Sequence, residues 1–187
     1  AVAHDGELAE MQAIRAAVGQ GPKILIDMHW RYSAAEAIRM IRHLEPYDLC
    51  LAEAPVRPED MDGQAEVARA VQTPIAIGEE LRTVHEYQPR FVRRCMQVIQ
   101  PEMGRMGVTE FVKICHMAEA FHCGVMPHAS IGIGLFQAAS LQVSAVIPHL
   151  SMHEYQHSVF DRNLGLLRGA MKCEAGYFTL PEGPGIG

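Results

Sequence analysis

Residues 23–53, KILIDMHWRYSAAEAIRMIRHLEPYDLCLAE, decide the fold. A short apolar run, Lys23–Asp27 (KILID), ends on a carboxylate. The stretch SAAEAIRMIRHLEP then repeats its apolar residues every 3–4 positions, with Ser33 and Glu36 as a start signal and Pro46 as a stop. A second apolar run, Leu49–Glu53 (LCLAE), again ends on a carboxylate. Nearly continuous apolar strands separated by a helix make a βαβ unit, the building block of a parallel sheet covered by helices.

The same unit recurs further along the chain. Strand candidates are Pro74–Gly78 (PIAIG), Met96–Gln100 (MQVIQ), Gly124–Pro127 (GVMP) and Leu150–Glu154 (LSMHE). Helical stretches between them are PEDMDGQAEVARAV, VHEYQPRFVRRC, GVTEFVKICHMAEAFHC and IGLFQAASLQVSAVI. The polar residues at successive strand ends, Asp27, Glu53, Glu79, Glu102, His128 and Glu154, are 26, 26, 23, 26 and 26 residues apart. One strand, one helix and two loops need about that length, so the six residues hold equivalent places. An open doubly wound sheet can repeat in this way, but six in-phase polar strand ends favour a closed (β/α) TIM-type barrel, whose C-terminal strand ends share one catalytic mouth.

A barrel of this type has eight strands, and counting 26 residues back from Asp27 reaches residue 1. Residues 1–160 are therefore expected to form a partial barrel of about six βα units that lacks its first two strands. Gly6–Gly19 (GELAEMQAIRAAVG) reads as the helix of the interrupted unit, stopped by its glycine. Residues 161–187, rich in glycine and proline, read as an extended C-terminal tail.

Composition narrows the functional classes. The chain has 187 residues, 49% of them apolar and 20% charged, with 16 basic against 22 acidic side chains and a net charge of −6. That is enough for a substantial core and excludes a disordered chain. No basic cluster offsets the acidic balance, so nucleic acid is not an expected partner. No apolar run approaches the length that spans a bilayer, and AVAHDGELAE lacks the features of a signal peptide. Cys50, Cys95, Cys115, Cys123 and Cys173, an odd and scattered set, read as reduced thiols of a cytoplasmic protein.

The strand ends carry the candidate chemistry. Asp27, Glu53 and Glu79 close three consecutive strands, and three neighbouring like charges repel unless a cation joins them. All-oxygen ligation selects a hard divalent ion, magnesium first and manganese next. The plainer alternative for each is a helix cap or a surface ion pair. Glu102 and His128 close neighbouring strands and form a candidate dyad, in which a carboxylate orients an imidazole as general base; the alternative is a histidine bonded to a helix end. His29 stands two residues beyond Asp27, and strand alternation would turn both to the mouth, where His29 can protonate a leaving oxygen or serve as a further ligand. Glu154 is expected on the side opposite the three carboxylates, donating a hydrogen bond to a developing oxyanion when it carries a proton.

Other candidates carry less. Cys115, His116, His122 and Cys123 resemble a zinc set, but two turns of helix, about 10 Å, separate Cys115 from His122. Gly132 and Gly134 leave room beside a ligand or open the next helix, the methionines fill the core, and Arg168 and Lys172 read as solvated.

Six motifs together, IDMHWR (26–31), LAEAPVRPE (51–59), TPIAIGEEL (73–81), IQPEMGRMGVTE (99–110), MPHASIGIG (126–134) and MHEYQ (152–156), make the chain resemble the barrel domain of the enolase superfamily. The resemblance is to its mandelate racemase branch and, within it, to acid-sugar dehydratases of the galactonate type. It covers essentially the whole chain, as strands three to eight of the modified barrel plus the tail. It implies Asp27, Glu53 and Glu79 as magnesium ligands, His128 as the base that removes the proton next to the substrate carboxylate, and Glu102 as its orienting partner. It further implies His29 as the acid that expels the neighbouring hydroxyl and Glu154 as the residue that hydrogen-bonds the enediolate. The implied partners are an acid-sugar substrate and further copies of the chain in a homo-oligomer, with neither nucleic acid nor membrane.

The chain departs from this family in several ways. Glu102 stands where these dehydratases usually carry aspartate, and Glu80 where arginine is common. The family's N-terminal capping domain, which closes the site and selects the sugar, and the first two strands are not expected within these 187 residues. Racemisation or epimerisation on the same scaffold and a non-catalytic barrel fragment are the other readings. A zinc amidohydrolase fits poorly, because its site needs several histidines at strand ends.

Overall fold

In the computed structural model, which describes residues 6–129, 134–165, 171–180 and 182–187, the capping box read at Ser33 opens the first strand–helix–strand unit. Ser33 Oγ accepts the Glu36 N–H while the Glu36 carboxylate accepts the Ser33 N–H at 2.9 Å. Helix α2 (Ala34–Leu44) starts there and tightens into a single 3₁₀ turn, Glu45–Tyr47, at Pro46. Strands β1 (Ile24–Asp27) and β2 (Leu49–Glu53) flank it, as the hydrophobic pattern requires. The parallel strands follow one another in chain order, β1 to β5, alternating with helices.

The chain divides into two compact units, Ala1–Ile77 with Pro89–Val98 and Gly78–Gln88 with Ile99–Gly187. The first unit begins with α1 (Glu7–Val18), stopped by Gly19 at φ 70°, a left-handed conformation open to glycine. Arg15, buried on α1, donates to Tyr47 O at 2.8 and 3.1 Å and to Pro22 O at 2.8 Å, tying the end of the helix to the 3₁₀ turn. β1 and β2 run parallel with Asp27 opposite Glu53, and β2 continues onto β3 (Ile75–Ile77) with Glu53 opposite Ala76. Between them lies α3 (Met61–Ala70), whose N-cap Asp60 accepts the Gly63 N–H at 2.8 Å. The core takes Ala37, Ile41 and Leu44 from α2, Leu51 and Ala52 from β2, Val67 from α3 and all of β3. Each fully buried aliphatic side chain contributes about 1.5–3 kcal/mol.

Helix α4 (Val84–Arg93) and β4 (Val98–Ile99) carry the chain across the division. In the first unit Gln97 N–H donates to Ile75 O at 3.0 Å, and in the second Met126 N–H donates to Ile99 O at 2.9 Å. β4 and β5 (Gly124–Val125) are two residues each, shorter than their apolar runs. Pro101 and Pro127, which have no N–H to give, interrupt the ladder at the ends of these runs.

The second unit departs from expectation in three places. Helix α5 (Met103–Ala120) starts four residues before the expected GVTE start and breaks at Gly107 (φ 68°, ψ 173°). The Glu102 side chain caps an added first turn by accepting the Gly104 N–H, and the main helix begins after the break. The expected sixth strand, Leu150–Glu154, is reduced to one parallel bridge, Val125 with Leu150, followed by irregular pairing. The expected extended tail is instead folded. After α6 (Gly134–Ser144), helix α7 (His157–Leu164) runs directly on from Gln156, and β6 (Lys172–Glu174) pairs antiparallel with β7 (Tyr177–Thr179). The hairpin turns at Ala175 (φ 51°) and Gly176 (φ 83°), the two positive φ values that a tight two-residue turn needs. Cys173, Phe178 and Leu180 of the hairpin pack on Ala138, Leu141, Phe160 and Met171. Gly132 and Arg168 lie outside the described residues.

Candidate active site

The second unit gathers three of the strand-end residues, Glu79, Glu102 and Glu154, around the imidazole of a fourth, His128. Glu79 follows Gly78, whose φ of 133° is a glycine conformation and whose carbonyl accepts the hydroxyl of the fully buried Tyr87 at 2.8 Å. A Cβ at position 78 would collide with that phenol, so the glycine and the tyrosine together set the backbone from which Glu79 projects. Glu102 is fixed through Oε1 by the Gly104 N–H at 2.9 Å, which leaves Oε2 free to reach His128. His128 is aligned with it because its own N–H donates to Pro101 O at 3.2 Å.

The distances are short. Glu102 Oε2 lies 2.6 Å from His128 Nδ1, and Glu79 Oε2 lies 2.6 Å from His128 Nε2. Glu154 Oε2 is 3.7 Å from the same Nε2 and accepts the Ala129 N–H at 2.6 Å. Glu79 and Glu154 thus both approach one nitrogen. The Glu102 side chain is 4% exposed, that of Glu79 11% and that of His128 17%, so solvent screens these charges weakly. The longer glutamate at position 102 reaches the imidazole in full.

The electrostatics follow from this packing. Burial alone would lower the basicity of His128, but the hydrogen bonds to Glu102 and Glu79 and the charges of Glu154 and Glu79 outweigh it and raise the pKa to about 10. Burial pushes the Glu154 carboxyl up, and Glu79 and Glu102 add to that, against the opposing pull of the Ala129 N–H and His128. Both ring nitrogens thus lie within hydrogen-bond distance of a carboxylate oxygen, with a third carboxylate close to Nε2. Of the three, Glu79 is the one expected to serve a hard divalent cation, for which carboxylate oxygens are suitable donors.

In the first unit, Asp27 and Glu53 end β1 and β2 as register partners, with Met28 N–H donating to Glu53 O at 2.9 Å. The strand stops at Asp27. Its Oδ1 accepts the His29 N–H at 2.9 Å, and His29 and Trp30 turn into left-handed conformations at φ 46° and 58°. Strand alternation thus does not place His29, contrary to expectation. An Asx turn does, with His29 Nδ1 3.8 Å from Asp27 Oδ2 and both side chains 55% exposed. A cleft of about 470 Å³, lined by Met11, Ile24, Asp27, His29, Tyr32 and others, opens beside this pair.

Two features of the site were not singled out in the sequence. One is Tyr87 under Gly78, signalled only by the glycine that precedes Glu79. The other is Ser140, whose Oγ lies 2.8 Å from His153 Nε2, next in sequence to Glu154. Among the thiols, burial pushes Cys115 up to about 12 and also raises Cys95 and Cys123, so these side chains are core rather than chemistry.

Known proteins share this arrangement of elements. The chain is 30% identical over 187 residues to the D-xylonate dehydratase of Haloferax volcanii, covering 98% of this chain and 44% of that protein. It is 31% identical over 190 residues to the D-galactonate dehydratase of Ralstonia nicotianae, covering 98% of this chain and 50% of that one. A solved structure from Sinorhizobium meliloti, named only provisionally as an isomerase, superposes with a TM-score of 0.96 at 49% identity, over 100% of this chain and 48% of the other. The chain thus spans half or less of the length of these relatives. The family model described as enolase C-terminal domain-like matches residues 2–187, and the chain belongs to that family, as a (β/α)-barrel domain of the enolase superfamily.

Proposed function

We propose that the protein containing this chain is a magnesium-dependent acid-sugar dehydratase that removes the α-proton of a sugar acid and eliminates the β-hydroxyl. The observation that carries this reading is His128 held at 2.6 Å by Glu102 through one nitrogen, with the other nitrogen directed at further carboxylates. Asp27, Glu53 and Glu79 would hold the cation. Bound there, it would offset the charge that the substrate carboxylate gains as the α-proton leaves. The names of the Haloferax and Ralstonia relatives support the reaction class and differ in the sugar.

Each residue then has a definable task. With Glu79 engaged by the cation, His128 Nε2 would be left open to accept the proton from C2, while Glu102 keeps Nδ1 protonated and stabilises the imidazolium that results. Glu154, whose carboxyl is pushed up by burial, donates a hydrogen bond to the enediolate oxygen when it carries a proton. His29 gives its proton to the departing C3 hydroxyl. The C2–H and C3–O bonds break, a C2=C3 double bond forms, one water leaves, and the enol tautomerises to a 2-keto-3-deoxy acid.

A panel of sugar acids incubated with the full-length protein and magnesium, then assayed for 2-keto acids, tests the proposal. A 2-keto product from at least one sugar is expected; no product from a folded, magnesium-loaded protein overturns it. The provisional isomerase name of the Sinorhizobium structure favours a second reading, epimerisation. Exchange of the α-proton with solvent deuterium without loss of water would select it. An odd, scattered set of five cysteines supports a reducing compartment, the cytoplasm, and no described helix is long and apolar enough to cross a membrane.

A further inference from the structure

The strand that delivers Glu154 carries one residue too many. Ser151 N–H donates to Val125 O at 2.8 Å, and the next ladder bond comes from Glu154 N–H to Pro127 O at 3.1 Å. Two residues separate the acceptors and three separate the donors. Leu150 pairs with Val125, so a regular ladder would bring residue 153 level with His128. The extra residue brings Glu154 there instead. Such bulges re-aim side chains and terminate pairing, and they collect beside active sites.

Something must hold this irregular segment, because residues 151–156 have no secondary structure of their own. His153 is placed to do so. Its Nδ1 lies 2.9 Å from Glu154 O, and its Nε2 lies 2.8 Å from Ser140 Oγ. A carbonyl only accepts, so Nδ1 donates and Nε2 receives the Ser140 hydroxyl, which fixes one neutral tautomer. Ser140 is 2% exposed on α6, and the Phe178 ring of β7 meets the imidazole edge-on at 5.5 Å. The imidazole is thus anchored on a helix and covered by the C-terminal hairpin. Its remaining bond ends on the main chain of Glu154.

We infer that His153, anchored by Ser140, is a positioning residue that holds the bulge and thereby aims the Glu154 carboxylate at the Ala129 N–H and at His128. It touches no reacting atom, and its effect on turnover rests on the dehydratase reading. The placement of Glu154 against His128 does not rest on that reading.

The test uses the full-length protein in wild-type, H153F, H153N and S140A forms, and reads the imidazole nitrogen NMR spectrum alongside kcat and KM. Phenylalanine keeps the packing and removes both hydrogen bonds; the asparagine amide can replace the Nδ1 donor. We expect a protonated Nδ1 on His153 in the wild type, displaced His128 resonances in H153F, and their return toward wild type in H153N. We expect kcat to fall about 10- to 100-fold in H153F with KM within about twofold, and less in S140A. Unchanged His128 resonances in folded H153F, or a His153 protonated on Nε2 in the wild type, overturns the inference. If H153F does not fold, S140A carries the comparison, and unchanged His128 resonances in folded S140A overturn the inference. If no sugar acid is turned over, the dehydratase reading fails, and the His128 resonances alone decide the positioning role.

Discussion

At the scale of single residues, the meeting of Glu102, His128 and Glu79 depends on side-chain reach. Glu102 uses one carboxylate oxygen on the Gly104 N–H and the other on His128. Shortening it by one methylene cannot serve both contacts, and removing its charge leaves the imidazolium without its orienting anion. Glu102→Gln is therefore expected to lower kcat about 10²- to 10⁴-fold with a smaller change in KM, measured by 2-keto acid formation. A loss confined to KM would assign Glu102 to substrate binding instead. The role of Gly78 is likewise local. Gly78→Ala meets both an unfavourable φ and the Tyr87 phenol, and should destabilise the protein by about 1–3 kcal/mol in chemical denaturation. A change below half a kcal/mol would mean that Tyr87 yields easily. Carboxylates and a histidine at strand ends were readable in the sequence because their types are unusual after apolar runs. His29 was misplaced because neither His29 nor Trp30 advertises a left-handed turn as glycine or asparagine would.

At the scale of elements, helix starts were legible wherever a capping pattern preceded them, as at Ser33 with Glu36. The start of α4 uses a similar device. Glu86 accepts from Arg82 N–H at 2.9 Å, from Thr83 N–H at 2.8 Å and from the Thr83 hydroxyl at 3.0 Å. Burial opposes the charged form, yet these bonds and the nearby Arg82 outweigh it, so the Glu86 carboxyl titrates below its usual value. A depressed folded-state pKa gives stability that is present above the unfolded value of 4.5 and lost as pH falls through the folded one. Glu86→Gln should thus cost about 0.5–1 kcal/mol at neutral pH, and the gap to wild type should close in acid. A gap independent of pH would show that the charge is not what caps the helix. The bulge before Glu154 was invisible by contrast. Glu154 still falls 26 residues after His128, because one extra residue compensates a pairing register of 25 between Val125 and Leu150. The tail was misread for another reason: glycine and proline content signalled turns, while the hairpin signal at Ala175–Gly176 lay between strands of only three residues each.

At the scale of the whole molecule, the repeat of strand and helix was the strongest signal, since it recurs at nearly constant spacing and each unit must bury its apolar strand. The chain spans half or less of the length of the dehydratase relatives it matches. If Asp27, Glu53 and Glu79 share a cation, magnesium should raise the melting temperature of the full-length protein, by the equivalent of about 2.7 kcal/mol at one hundred times Kd. The D27N, E53Q and E79Q variants should each lose most of that shift, and a wild-type shift in all three would place the ion elsewhere.

The central claim is that His128 is the base. It is tested most directly by following the α-proton of a turned-over sugar acid in deuterium oxide with magnesium present. Wild-type protein should release that proton to solvent, and His128→Asn should abolish the release while still binding magnesium. Proton release that persists in the variant would contradict the account.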